Sequence, residues 1–210
     1  MALAADDPDL ELVRALQSGE EGALSELMRR HEEALFRFLY RYALNATDAA
    51  DLAQETFVRA YFKIHQFKPG AKFSVWLYRI ALNLARDHAR SRTTRQARVS
   101  SELPVGGRQV FQNSDSVLAD AVVPDPSRAL ENKEEMRALE AAINTLPADL
   151  KQAFILMALE GHSQRDCGEM LGASPKAVET RVYRARKLLA AKLRHLWPLG
   201  QGRTVFSKKG

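Results

Sequence analysis

Basic side chains recur at Arg181, Arg184, Arg186, Lys187, Lys192 and Arg194, behind a Ser174-Pro175 pair. Cations at that density bind phosphate, and a planar guanidinium can also take a base edge through two hydrogen bonds. Just upstream, Ser163 stands three residues before Asp166, the spacing of a capping box. Leu171-Gly172-Ala173 then makes a tight turn. Ser174 supplies the next N-cap, and Pro175 falls at the first helical position, where its missing N–H costs nothing. Two helices joined by a short Gly-containing turn, the second one basic, form a helix-turn-helix that lays its second member in a DNA groove.

A second stretch pairs aromatics with arginines. Phe73, Trp76 and Tyr78 sit beside or within a segment that carries Arg79, Arg86, Arg90, Arg92, Arg95 and Arg98. Rings stack on unpaired bases while cations follow the phosphates, which is what single-stranded DNA binding requires. The plainer reading makes Trp76 core and the arginines surface. Trp76 shares a helical face with Leu77, Ile80 and Leu84 and is expected to be half core. Phe73 is expected in the break before the helix, free to face a base. Arg79, Asn83, Arg86, Asp87 and Arg90 form an outer polar stripe, and Asn83 can read a base edge.

A third group is acidic. Asp51, Glu55 and Arg59 recur at four, with Gln54 beside them, so they share one stripe of a helix. The stripe is either a solvated face with an internal ion pair or a docking surface for a basic partner.

The elements that position these groups are helical. Leu24, Leu27, Met28, His31, Leu35, Phe38, Leu39 and Tyr42 mark one apolar face. Thr47 or Asp48 is expected to cap the next helix, with Leu52, Phe57, Ala60, Tyr61 and Ile64 inside, before Lys68-Pro69-Gly70 breaks it. A third helix is expected from near Ser74. Periodicity fades from Val99 to Ser127, where Pro104, Gly106, Gly107, Pro124 and Pro126 read as a flexible linker. Its acids, Asp115, Asp120 and Asp125 with Glu102 and Glu131 at its ends, outnumber Arg108 and Arg128. The fold class is therefore all-α. Two small helical domains span residues 1–98 and 128–197, joined by the linker at 99–127 and followed by a loose tail at 198–210.

Composition agrees. The 210 residues are 46% hydrophobic, enough for real cores, and carry a net charge of +5, which suits nucleic acid without requiring it. The single cysteine, Cys167, excludes an internal disulfide and points to a reducing cytoplasm. It reads as a small core residue rather than a redox sensor. No segment reaches the roughly 20 apolar residues of a membrane span. His162 reads as a turn residue, since no second His or Cys lies at metal-ligand spacing. No nucleophile–base pair or phosphate-binding glycine loop is present, so no cofactor, no metal and no catalytic activity are expected.

The stretches DAADLAQETFVRAYFKIHQF and FSVWLYRIALNLARDHARSR closely resemble region two of bacterial sigma factors of the sigma-70 family. The stretch LPADLKQAFILMALEGHSQRDCGEMLGASPKAVETRVYRARKLL is similar to region four. Nothing between them resembles region three, and that economy is the pattern of the extracytoplasmic function (ECF) group. The resemblance implies a promoter-specificity subunit of core RNA polymerase, contacting the β′ clamp helices and the β subunit, commonly held inactive by an anti-sigma factor. It assigns Asp51, Gln54, Glu55 and Arg59 to core docking. It assigns the segment Lys68 to Ser74, with Lys72 and with Phe73 in its aromatic position, to capture of a flipped −10 base. Trp76, Asn83, Arg86 and Arg90 match the helix that holds the melted strand. Glu179, Thr180, Arg181, Tyr183, Arg184 and Arg186 match the face that enters the −35 major groove. In the family the linker threads toward the polymerase active-site cleft, where its acids could imitate RNA. Glu179 departs from the pattern, because relatives often carry a basic residue there, and a carboxylate repels phosphate unless a cytosine amino group occupies it. Two other readings stay open: a helix-turn-helix regulator that binds duplex DNA alone, and a sigma mimic that titrates an anti-sigma factor.

Overall fold

The computed structural model describes residues 7–20, 22–68, 70–102 and 136–194. The linker beyond 102, with Asp115, Asp120, Asp125 and Glu131, lies outside the described residues, as do the tail and the side chains of Arg95 and Arg98. The described chain is all-α in two helical domains. The first holds α1 (Leu10–Gln17), α2 (Gly22–Ala43), α3 (Ala46–Lys63), a 3-10 turn (Ile64–Gln66) and α4 (Phe73–Glu102). The second holds α5 (136–144), α6 (Ala148–Phe154) with a π turn (Ile155–Leu159), α7 (Gln164–Leu171) and α8 (Pro175–Lys192).

Apolar stripes at three and four become cores. In the first domain Leu27, Leu35, Phe38 and Leu39 of α2 meet Leu77 and Leu82 of α4, all with essentially no exposure. In the second, Phe154, Ile155, Leu156 and Leu189 do the same. Each such side chain stabilises its fold by about 1.5–3 kcal/mol.

Caps set the boundaries. Helix α3 is capped by neither Thr47 nor Asp48 but by Asn45, whose extended backbone lets its Oδ1 accept the Asp48 N–H at 2.9 Å. The preceding residue, Leu44, takes a left-handed φ of 54°, a turn that costs a branched side chain about 1–2 kcal/mol. Helix α4 begins at Phe73 and runs past Arg98 to Glu102.

Candidate promoter-DNA and polymerase interface

Helix α3 turns Asp51 and Gln54 outward and holds Arg59 Nε 2.7 Å from Glu55 Oε1, both side chains partly exposed. Beside that polar stripe runs a second one at the same spacing, Gln54, Val58 and Phe62. Phe62 is 76% exposed and Val58 44%. Tyr61, expected inside, is 38% exposed, while Leu52, Phe57, Ala60 and Ile64 are buried as the pattern required. Exposed Val58 and Phe62 thus extend the stripe as an apolar patch on the surface of α3. The apolar stripe was not picked out from sequence, although the i, i+4 repeat from Gln54 to Phe62 carries it.

At the start of α4 the expectation for Phe73 is corrected. Its ring is only 1% exposed, and it packs against His31, Phe67 and Trp76 with centroids 5.4, 6.2 and 5.9 Å away. A ring enclosed on three sides cannot stack on a base. Trp76 is half-buried as expected, edge-on to Phe67 at 5.7 Å. Along the outer face Arg79, Asn83, Asp87 and Arg90 are exposed.

Two of the cations in this set meet the second domain. Lys72 Nζ lies 3.0 Å from Asp166 Oδ2, and Arg86 Nη2 donates to Gln152 Oε1 at 2.7 Å. The same seam contains the ion pair Arg41–Glu160, whose side chains are nearly buried. Lys151 Nζ donates to the Tyr42 carbonyl at the end of α2 and lies 5.0 Å from the Tyr42 ring. His162 packs edge-on against Tyr78 at 4.7 Å. Burial lowers Lys151 to about 8 and lowers His162, the latter partly opposed by Asp166. Burial raises Glu160 against the pull of Arg41.

The helix-turn-helix forms as its caps dictate. Ser163 Oγ accepts the Asp166 N–H at 3.0 Å, and Ser174 Oγ accepts the Ala177 N–H at 3.2 Å. Gly172 closes α7 in the left-handed region with φ 63°. Gly168 lets α7 approach the turn, since a Cβ there would lie 2.7 Å from the Ala173 carbonyl oxygen. Cys167 is buried, and burial raises its thiol to about 12, so it behaves as a small apolar filler.

On α8 the outward face carries Lys176, Glu179, Thr180, Tyr183, Arg184, Lys187 and Leu188, with Tyr183 68% exposed. Arg181 and Arg186 turn aside and are half-buried, Arg181 Nε lying 3.9 Å from Asp149. Glu179 is held 2.9 Å from Lys176 Nζ, which offsets the repulsion its carboxylate would present to phosphate. Thr180 donates its hydroxyl proton to the Lys176 carbonyl, which leaves its exposed oxygen as an acceptor.

Comparison with known proteins gives a consistent result. Residues 27–95 match the family described as Sigma-70 region 2, and residues 136–189 match Sigma-70, region 4. The chain is 30% identical to the RNA polymerase sigma-H factor of Pseudomonas aeruginosa, across 90% of this chain and 96% of that protein. It is 29% identical to the ECF RNA polymerase sigma factor SigW of Bacillus subtilis, across 88% and 96%. Among solved structures, CnrH in complex with the cytosolic domain of CnrY aligns with a TM-score of 0.65 at 28% identity, across 90% of this chain and 99% of that one. Among the described residues no helix is long and apolar enough to cross a membrane.

Proposed function

Because the chain belongs to the sigma-70 family, in its extracytoplasmic function group, we propose a division of labour among its surfaces. The protein is a sigma factor: it joins core RNA polymerase, selects promoters at their −35 and −10 elements and helps open the DNA. The chemistry of RNA synthesis stays with the polymerase, and this chain acts without catalysing a reaction. The domain at residues 1–98 serves core binding and −10 recognition, and the domain at 128–197 serves −35 recognition.

Core docking uses Asp51, Gln54, Glu55 and Arg59 around an apolar centre of Val58 and Phe62. The −10 strand is held by Lys72, Trp76, Asn83, Arg86 and Arg90, with Phe73 as the packed floor beneath the loop rather than a stacking ring. The −35 groove is read by Glu179, Thr180, Tyr183 and Arg184, while Arg181 and Arg186 brace the helix from its flanks. Promoter binding opens the seam, because Lys72 and Arg86 must exchange Asp166 and Gln152 for phosphate. An anti-sigma factor holds the protein in check; the similar CnrH is itself found in complex with another protein, the cytosolic domain of CnrY.

The observation that carries this reading is the pairing, on one chain, of an acidic stripe around an exposed Phe62 with an outward basic face behind a glycine turn. A duplex-only regulator leaves the first of these unexplained. The test is run-off transcription with bacterial core polymerase on sheared genomic DNA. Discrete new transcripts that share two short upstream motifs are expected. Absence of both transcripts and core binding would overturn the reading.

A further inference from the structure

The segment before residue 27 lies outside the matched family regions, yet it holds both ends of the loop that precedes α4. At the upstream end Gln17 Nε2 donates to the carbonyl of Ile64 at 2.9 Å and, more weakly, to that of Phe67 at 3.4 Å. At the downstream end Asp7 Oδ2 accepts the Phe73 N–H at 2.7 Å, while Asp7 Oδ1 takes the Asp9 N–H at 3.2 Å. One carboxylate thus caps the starts of α1 and α4 together. That satisfies a donor the α4 terminus would otherwise orphan and sets a negative charge at the positive end of a long helix.

The link continues inward. Asp9 is buried, and its carboxylate meets His31 Nε2 at 2.6 Å and Arg30 Nη1 at 3.2 Å. The His31 ring lies against Phe73. Val13 and Leu16 anchor α1 beneath this strap. Between the clamped ends, Lys68, Gly70 and Lys72 are exposed, and Gly70 holds a φ of 112° that other residues rarely adopt. The loop is therefore fixed at both shoulders, with Lys68 and Gly70 exposed between them and Lys72 reaching Asp166.

We propose that Asp7 and Gln17 are positioning residues for −10 recognition, setting the height and angle at which the loop meets an extruded base. The inference rests on the proposed reading of that loop. Capture of an extruded base tolerates little misplacement, so a frame that holds the loop by hydrogen bonds to its backbone governs the melting step without touching DNA.

The test uses full-length Asp7→Ala, Asp7→Asn and Gln17→Glu with core polymerase on a linear duplex bearing a promoter found by run-off transcription. Permanganate reactivity of the −10 thymines reports opening, and fluorescence competition reports core affinity. Asp7→Ala is expected to slow opening about tenfold, the loss of one cap, with core affinity unchanged. Asp7→Asn keeps one acceptor oxygen, enough for the Phe73 N–H but not for the Asp9 N–H as well, and is expected to open at a rate between those of Asp7→Ala and the wild type. Gln17→Glu, which cannot donate, is expected to slow opening and decides the matter if Asp7→Ala loses cooperative unfolding. Wild-type opening by both loop-frame variants, or opening and core affinity falling in parallel, overturns the positioning role. A wild-type protein that opens no promoter overturns the functional reading beneath it.

Discussion

Helices α4 and α8 both carry interleaved arginines and aromatics, yet the fold treats them oppositely. On α8, Tyr183 and Arg184 stand in solvent on a face nothing else occupies within the described chain. At the start of α4, Phe73 is sealed into an aromatic cluster, Lys72 and Arg86 reach across to the second domain, and Tyr78 lies beneath His162. The same residue types form an open surface in one place and core and latch in the other. Periodicity tells which side of a helix faces away from its own core. It does not tell whether another element covers that side.

The sharpest way to break this contrast is Phe73→Ala. A base-stacking ring could be truncated at little cost to folding. The buried ring is expected to cost about 3–5 kcal/mol of first-domain stability in denaturant unfolding, against less than about 0.5 kcal/mol for Tyr183→Ala on the exposed face. Equal small losses would place Phe73 back at the DNA.

Next comes a contrast within α8. Arg184→Ala is expected to weaken −35 binding by about 1–3 kcal/mol in holoenzyme promoter titrations while leaving unfolding unchanged. Arg186→Ala, half-buried on the helix flank, is expected to show the reverse balance. If Arg186→Ala cost more promoter affinity than Arg184→Ala, the outward face would be wrongly drawn.

The smallest effect concerns the seam. Burial lowers the His162 imidazole, so the closed arrangement favours its neutral form. Its contribution is whole above the ordinary value of about 6.5 and is lost as pH falls toward the lowered one. Tyr78, Asp166 and Lys72 surround it, and Glu160, raised by burial, pulls the other way with acid. The difference between wild type and His162→Gln isolates the imidazole. Between about pH 7.5 and pH 6 the wild type is expected to separate its domains further than His162→Gln, read by a dye pair across the seam. Identical curves would remove His162 from the closure.

What was legible in the sequence follows the same divide. The helix-turn-helix was readable to the residue, because Ser163, Gly172, Ser174 and Pro175 act on their immediate neighbours and nothing remote overrides them. The α3 cap was misplaced because Asn45, Thr47 and Asp48 are all competent, and only the extended backbone at Asn45 decides among them. The burial of Phe73 was missed because the enclosure by Phe67 and Trp76 is completed by His31, which comes from far earlier in the chain. The Lys72–Asp166 contact joins residues in different domains, and no local pattern announces it. The outer face of α3 was half legible: Asp51 and Glu55 stand out by charge, while nothing local marks Val58 and Phe62 as exposed beside the buried apolar residues of the same helix.

Lys151 closes the Tyr42 carbonyl near the end of α2 from the opposite domain, its ammonium shared with Asn144 Oδ1 at 2.7 Å. Together with the Lys72–Asp166, Arg86–Gln152 and Arg41–Glu160 contacts, that bond makes the halves thermodynamically non-modular. Cut apart, the first domain exposes a helix end to solvent, and the second regains a fully hydrated lysine. The unfolding free energies of the two fragments therefore do not sum to that of the whole, and the shortfall measures how strongly each domain senses the other's presence.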